Sequence, residues 1–284
     1  MRSWLFAPGD SDKKMTKAAD SAADIALFDL EDSVTPDNKA DARERVAAMI
    51  ASRDDKARLW VRINPLSSGW TEEDLAAIMP SAPGGVFLPK AEGGHDVERL
   101  DAMLTALETR HGLEPGSTKV AALVTETAAA MFTTGTYAGT PRLVAMSWGA
   151  EDLSSELGAQ DQRGPDGEYL HVFEMARSLC LLGAVKAQVI PLETVQPEFR
   201  DLDALRDRAL RVRRQGFRGM LAIHPAQIEP INTAFTPSEE ELAHARAVVQ
   251  AFADNPGAGT VALDGNMLDR PHLALAQRIL AEAG

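Results

Sequence analysis

Along this chain, short runs rich in β-branched and aliphatic residues alternate with longer segments in which alanine and leucine recur at helical spacing among charges. The short runs read as strands at 3–7, 25–30, 59–63, 85–88, 120–125, 143–148, 187–192 and 220–223. The longer ones read as amphipathic helices, as at 39–51, 95–110, 202–215 and 238–253. Eight strands separated by helices predict an α/β fold, a parallel (β/α)8 TIM barrel. Helix starts support the reading. Asp12 opens the first helix, Ser68 to Glu72 precedes the third, and Thr236-Pro237-Ser238-Glu239-Glu240-Glu241 sets acids on the positive end of a helix dipole. The barrel units end by about Asn232, which predicts a catalytic barrel over 1–234 and a C-terminal helical lid extension over 235–284. That extension holds a long helix, a Gly/Asn/Pro-rich stretch at 255–260, the strand-like Val261-Ala262-Leu263, and a final helix from Pro271. An open doubly wound sheet is the alternative. It lacks support because Pro8-Gly9-Asp10-Ser11-Asp12 stands where a Gly-x-Gly-x-x-Gly fingerprint would follow the first strand.

Composition narrows the function classes. With 284 residues, 45% of them hydrophobic, the chain is long enough for a full barrel core. A formal net charge of -13 opposes the field that nucleic-acid phosphates or anionic membranes attract, so neither is an expected partner. The single cysteine, Cys180, lies in an apolar helical run at 175–182 and reads as a buried structural thiol, which fits a reducing, cytoplasmic setting. No stretch approaches transmembrane length.

The candidate chemistry lies at the strand ends, where Asp29-Leu30-Glu31-Asp32, Arg62-Ile63-Asn64, Pro89-Lys90, Glu126, Glu151-Asp152, Glu193 and His224 follow successive strands. In a (β/α)8 barrel those ends meet on one face around the axis. Glu126 and Asp152 end neighbouring strands. Without a cysteine cluster or paired histidines, two carboxylates with water and substrate oxygens describe a Mg²⁺ or Mn²⁺ site, although either acid also suits the start of a following helix. Arg62 needs anions at a buried strand end, which Glu31, its neighbours or a substrate oxygen would supply. Lys90 and Glu193 read as positioning groups. His224 reads as a hydrogen-bonded core histidine rather than a base. Lys13, Lys14 and Lys17 form either a solvated face or, in so acidic a chain, a site for a phosphate-bearing ligand.

Seven segments carry a resemblance: Arg2-Ser3-Trp4-Leu5-Phe6-Ala7-Pro8-Gly9, Asp29-Leu30-Glu31-Asp32-Ser33-Val34, Val61-Arg62-Ile63-Asn64-Pro65, Leu88-Pro89-Lys90, Gly149-Ala150-Glu151-Asp152-Leu153, Ala222-Ile223-His224-Pro225-Ala226-Gln227, and Leu263-Asp264-Gly265-Asn266-Met267-Leu268-Asp269-Arg270-Pro271-His272. In order, and over nearly the whole chain, they resemble the HpcH/HpaI aldolase and citrate lyase β-subunit family. The resemblance implies a barrel assembled as a homotrimer or a hexamer, with Glu126 and Asp152 as Mg²⁺ ligands. It implies Arg62 as the substrate-binding, catalytic arginine and a coenzyme A thioester as substrate; beside it the strand-end reading sets Glu31 and Asp32 with Arg62 as catalytic candidates and Lys13, Lys14, Lys17 and Lys90 as candidates for binding that thioester. It further implies a lid hinged at Gly265 whose Asp269 reaches a neighbouring subunit's site. The implied reaction is carbon–carbon lysis of a citryl-, malyl-, methylmalyl- or citramalyl-CoA type thioester into an acyl-CoA and a 2-oxo acid. Alternatives are a CoA-independent 2-oxo acid aldolase, an acyl-CoA thioesterase, and the β subunit of an acyl-carrier-protein-dependent citrate lyase complex. Three positions depart from the family pattern: Met220 where Gly-Lys is usual, Arg218 where many have an acid or polar residue, and Glu193 where Asp is common.

Overall fold

In the computed structural model, which describes residues 1–165 and 167–283, eight parallel strands close into a barrel. They are β1 (Ser3–Pro8), β2 (Ile25–Asp29), β3 (Leu59–Arg62), β4 (Gly85–Leu88), β5 (Lys119–Leu123), β6 (Leu143–Ser147), β7 (Ile190–Glu193) and β8 (Gly219–Ala222), with β8 paired back to β1. Closure removes the doubly wound alternative. Between strands run α1 (Asp12–Ala19), α2 (Lys39–Ala51), α3 (Thr71–Ile78) and α4 (Gly94–His111). After β5 come only two 3₁₀ turns, Ala130–Phe132 and Thr134–Tyr137, while α5 (Ala150–Leu157) and α6 (His171–Ala187) both follow β6. α7 (Leu202–Gln215) and α8 (Ile228–Ala234) complete the series. The largest shift of a strand boundary is at β7. Residue 187, read as the start of the seventh strand, instead ends α6, because Gln188 takes a left-handed φ of 59° and caps the helix before β7 begins.

Side chains alternate across each strand, so one face of every strand fills the barrel. Trp4, Ile25, Leu27, Trp60, Phe87, Leu123, Leu192 and Leu221 form that core. Trp4 meets Trp60 edge to face at 4.8 Å, and Gly85, the register partner of Trp60, leaves room for the indole: a Cβ there would stand 2.6 Å from it. Following the same alternation upward, Ile25 and Leu27 give way to Asp29, and Trp60 gives way to Arg62. Apolar layers therefore end in charge at the C-terminal ends of the strands.

The chain divides into two compact units, Met1–Asn232 and Thr233–Gly284. The second contains α9 (Glu239–Ala253), β9 (Thr260–Leu263), β10 (Asn266–Asp269) and α10 (Arg270–Ala283). Ser238 and Glu241 form a reciprocal capping box at the start of α9. Val248, Phe252, Val261, Leu268 and Ala276 make this unit's own core. β10 pairs antiparallel with β9 around Asp264 and Gly265, both at positive φ (49° and 79°), the signature of a two-residue hairpin turn. Gly265 thus lies at a hairpin tip. Cys180 is a buried free thiol, and among the described residues no helix is long and apolar enough to cross a membrane.

Candidate active site

Parallel pairing sets the first contact, because the register of β2 and β3 places Asp29 beside Arg62. Arg62 donates from Nε and Nη2 to the two oxygens of Asp29, both at 2.7 Å, and Nη1 lies 2.9 Å from Glu31 Oε2. Phe6 lies under the guanidinium, 4.9 Å away. Burial works against the charge of Arg62, yet Asp29 and Glu31 outweigh it and raise its pKa. Burial likewise opposes an ionised Asp29, but Arg62 holds it below its ordinary value; at Glu31 burial wins and the pKa rises. Asp32 is exposed and stands 3.9 Å from Arg62.

The loop after β2 is fixed from below. Asp29 accepts the backbone N–H groups of Glu31 and Ser33, at 2.9 and 3.1 Å. Lys39, buried at the start of α2, donates to the carbonyls of Leu30 (2.7 Å) and Glu31 (3.1 Å). Asn64 donates to Leu30 O and, from both backbone and side chain, to the fully buried Asp74, whose other oxygen takes Arg43 Nε at 2.7 Å. Sequence reasoning missed Lys39, Arg43 and Asp74. Each stands in a charged helix pattern that reads the same as a solvated face.

Across the barrel mouth, Glu126 is buried after β5. Its Oε2 accepts the backbone N–H of Lys90 at 2.5 Å, while Lys90 Nζ reaches Glu31 (2.5 Å), Asp152 (3.3 Å) and Asp32 (3.7 Å). Lys90 holds a positive φ of 50°, which turns its N–H and ammonium toward these acids. Gly149 presses on Glu126 from the other side, and a Cβ there would lie 2.7 Å from Glu126 Cγ. Burial, with Glu31 and Asp152 adding repulsion, pushes the Glu126 carboxyl up to about 8. Asp152 occupies the first turn of α5, where the helix dipole favours its charge, whereas no α-helix starts at Glu126.

A cavity of about 960 Å³ opens over this constellation, lined by Phe6, Asp29, Asp32, Arg62, Glu126, Trp148 and Asp152, with Lys14, Lys17 and His224 also on its wall. Lys13 is exposed and does not line it. Lys90 does not line it either; its ammonium is committed to carboxylates of the site. His224 is exposed rather than a core histidine: its Nδ1 accepts from Ala226 N–H, its ring stacks on Phe199 at 4.6 Å, and Pro225 after it starts a 3₁₀ turn. Glu193 is fully buried and paired with Arg208 at 2.5 Å, away from the cavity wall. Asp269 belongs to the second unit, where His272 holds its carboxylate.

Among the described residues no group of three or more His, Cys, Asp or Glu side chains is arranged to hold a metal. Glu126 and Asp152 could offer two hard oxygen ligands, which fits Mg²⁺, an ion that keeps several waters and is bound through one or two carboxylates. The raised carboxyl of Glu126 fits as well, since burial first, and then repulsion from Glu31 and Asp152, opposes its charge, and a bound divalent cation would offset both.

The HpcH/HpaI aldolase/citrate lyase model matches residues 2–225, nearly the whole barrel unit. The chain belongs to that family. A citrate lyase subunit beta-like protein of Mycobacterium tuberculosis is 36% identical over 286 residues, covering 99% of this chain and 95% of that one. A (3S)-malyl-CoA thioesterase of Cereibacter sphaeroides is 32% identical over 285 residues, with 99% and 94% covered. Among solved structures, CitE from M. tuberculosis in complex with magnesium, acetoacetate and coenzyme A superposes with a TM-score of 0.83 at 34% identity, covering 100% of this chain and 98% of that one. The matched range takes in β1, the Asp29 loop, Arg62, Glu126 and Asp152.

Proposed function

We propose that this protein is a carbon–carbon lyase that cleaves a small 3-hydroxyacyl-CoA thioester into an acyl-CoA and a 2-oxo acid. The observation that carries the reading is the convergence of Arg62, clamped by Asp29 and Glu31, with Glu126 and Asp152 on one cavity. Glu126 and Asp152 are the residues that would hold Mg²⁺ or Mn²⁺, which when bound supplies a Lewis acid for the hydroxyl and carboxylate oxygens of the substrate. Arg62 donates to the thioester oxygen as it gains enolate charge, an interaction stronger in the transition state than in the ground state. Its fork is already aligned by Asp29, so little reorganisation accompanies that step. Lys14 and Lys17, cationic on the cavity wall of an acidic protein, suit the phosphates of coenzyme A. Asp269 is assigned the proton step: it protonates the enolate carbon, and in condensation it removes that proton. In this reading Asp269 serves a neighbouring subunit of a homotrimer or hexamer in the cytoplasm.

A relative that is a malyl-CoA thioesterase favours a second outcome, hydrolysis of the thioester after or instead of cleavage. One experiment separates the two. Malyl-, citramalyl-, methylmalyl- and citryl-CoA are incubated with the protein and Mg²⁺, and 2-oxo acid and free thiol are followed together. Release of a 2-oxo acid with the thioester conserved is the expected result. Free thiol without any 2-oxo acid would replace the lyase reading with the thioesterase one.

A further inference from the structure

Where β10 runs into α10, His272 Nδ1 lies 2.5 Å from Asp269 Oδ1, and the Asp269 backbone N–H points to the same nitrogen at 3.2 Å. One nitrogen does not serve both contacts in the same state. Protonated, Nδ1 donates to the carboxylate; unprotonated, it accepts from the backbone but turns a lone pair toward an ionised oxygen. The two contacts alternate as one proton moves between Nδ1 and Oδ1: on Nδ1 it is donated to the carboxylate, and on Oδ1 it leaves Nδ1 free to accept. Thr260, the cross-strand partner of Asp269, has no titratable group, and Arg270 turns away to the Phe252 ring, 5.6 Å off. His272 is the ionisable side chain that acts on Asp269 through both a hydrogen bond and its charge.

The chemistry needs such a proton. Asp269 is half exposed, and the hydrogen bond from His272 holds its carboxyl below the usual range. A carboxylate of that kind is ready to act as a base and has no proton to give at neutral pH. Cleavage requires one.

Resting on the assignment of Asp269 to the proton step, we propose that His272 is its proton reservoir, passing the Nδ1 proton through Asp269 Oδ1 to the enolate carbon. In cleavage the carbon–carbon bond breaks, its electron pair passes to the thioester enolate, and the hydroxyl proton is released to solvent as the carbonyl forms. The α-carbon takes its proton from Asp269, Asp269 takes one from His272, and the half-exposed imidazole regains one from solvent, so protons balance. In condensation the flow reverses. Asp269 removes the α-proton and His272 holds it.

The test uses the full-length protein and whichever thioester of the panel it cleaves, comparing His272→Gln and His272→Ala with Asp269→Asn. Both His272 variants should keep the wild-type KM and lose about ten- to a hundredfold in kcat for cleavage. Condensation should lose by the same factor, because one equilibrium constant links the two directions of the step. Added imidazole should restore part of the cleavage rate to His272→Ala and none to Asp269→Asn. Wild-type kcat in the His272 variants beside an inactive Asp269→Asn would overturn the relay while leaving Asp269 in its role. A loss of cleavage rate that imidazole does not touch would also overturn it, since that marks a purely structural contact. Wild-type turnover by Asp269→Asn would remove both the relay and the assignment beneath it.

Discussion

At the N-terminal end of the barrel, Glu108 of α4 is fully buried and accepts from the backbone N–H groups of Gly116 (2.8 Å) and Thr118 (2.9 Å) and from Nη1 and Nη2 of Arg142 (2.7 and 2.9 Å). Burial alone would raise its pKa, but these donors outweigh burial and bring the carboxyl from 4.5 down to about 2. At about 1.4 kcal/mol per unit, the ionised group contributes about 3 kcal/mol to stability at pH 7. The folded-state value is the lower one. That contribution is therefore complete above the unfolded value near 4.5 and fades as pH falls toward 2, so that about 1.4 kcal/mol remains at pH 3. Glu108→Gln keeps the volume and sets an amide NH₂ against donors. Urea unfolding should show the variant less stable than wild type by about 3 kcal/mol at pH 7, with the gap more than halved at pH 3. Activity per folded molecule should stay unchanged, because this face of the barrel supports stability and not chemistry. A gap independent of pH, or smaller than about 1 kcal/mol at pH 7, would refute the argument from these four bonds.

Three further predictions concern the site. Glu126→Gln and Asp152→Asn should each abolish Mg²⁺ binding by calorimetry and abolish turnover with the far-UV spectrum intact; full turnover by either in excess chelator would sink the metal assignment. Lys14→Glu with Lys17→Glu should raise KM for CoA thioesters at low salt, with the difference shrinking as salt screens it, whereas Lys13→Glu, off the cavity wall, should change KM little. Asp269→Asn mixed with Arg62→Ala under subunit exchange should regain part of the activity; verified mixed oligomers with none would place Asp269 over its own barrel.

The convergence of strand-end charges was legible because it follows from two regularities: apolar alternation locates the strands, and barrel closure gathers their ends. Asp29, Glu31, Arg62, Lys90, Glu126 and Asp152 were all found that way, and the structure brings them within reach of one another. What sequence patterning lost was the sign of burial. Lys39 and Arg43 look like solvated helix charges, yet both are buried beneath the loop after β2, since helix periodicity does not say which cation finds a carbonyl or Asp74 as a partner. His224 failed in the opposite sense, as it sits in an apolar context but faces the open cavity. The β9–β10 hairpin had a readable signal in Asp264-Gly265, but strand alternation stops at Leu263, and the segment beyond it reads by family likeness as lid and hinge rather than as a strand.

The distribution of charge at the barrel mouth explains why the proposal sets the cation on Glu126 and Asp152 rather than on the acids after β2. Two cations, Arg62 and Lys90, stand among five carboxylates. Asp29 takes both arms of the Arg62 fork and is held ionised by it; Glu31 is shared between Arg62 and Lys90. Glu126 receives only the Lys90 backbone N–H and keeps a carboxyl near 8, while Asp152 meets the same ammonium at the longer distance of 3.3 Å. Asp32 stands farther from both cations but is exposed to water, so Glu126 and Asp152 are the two less solvated acids that Arg62 and Lys90 leave least compensated. A CoA thioester brings more negative charge to the same cavity, so its binding requires positive charge that the side chains at the mouth do not supply in full. Replacing Asp29 with Asn would free part of Arg62 to offset that charge, but it would also release the fork that aims the guanidinium, and on this argument substrate affinity would change less than kcat.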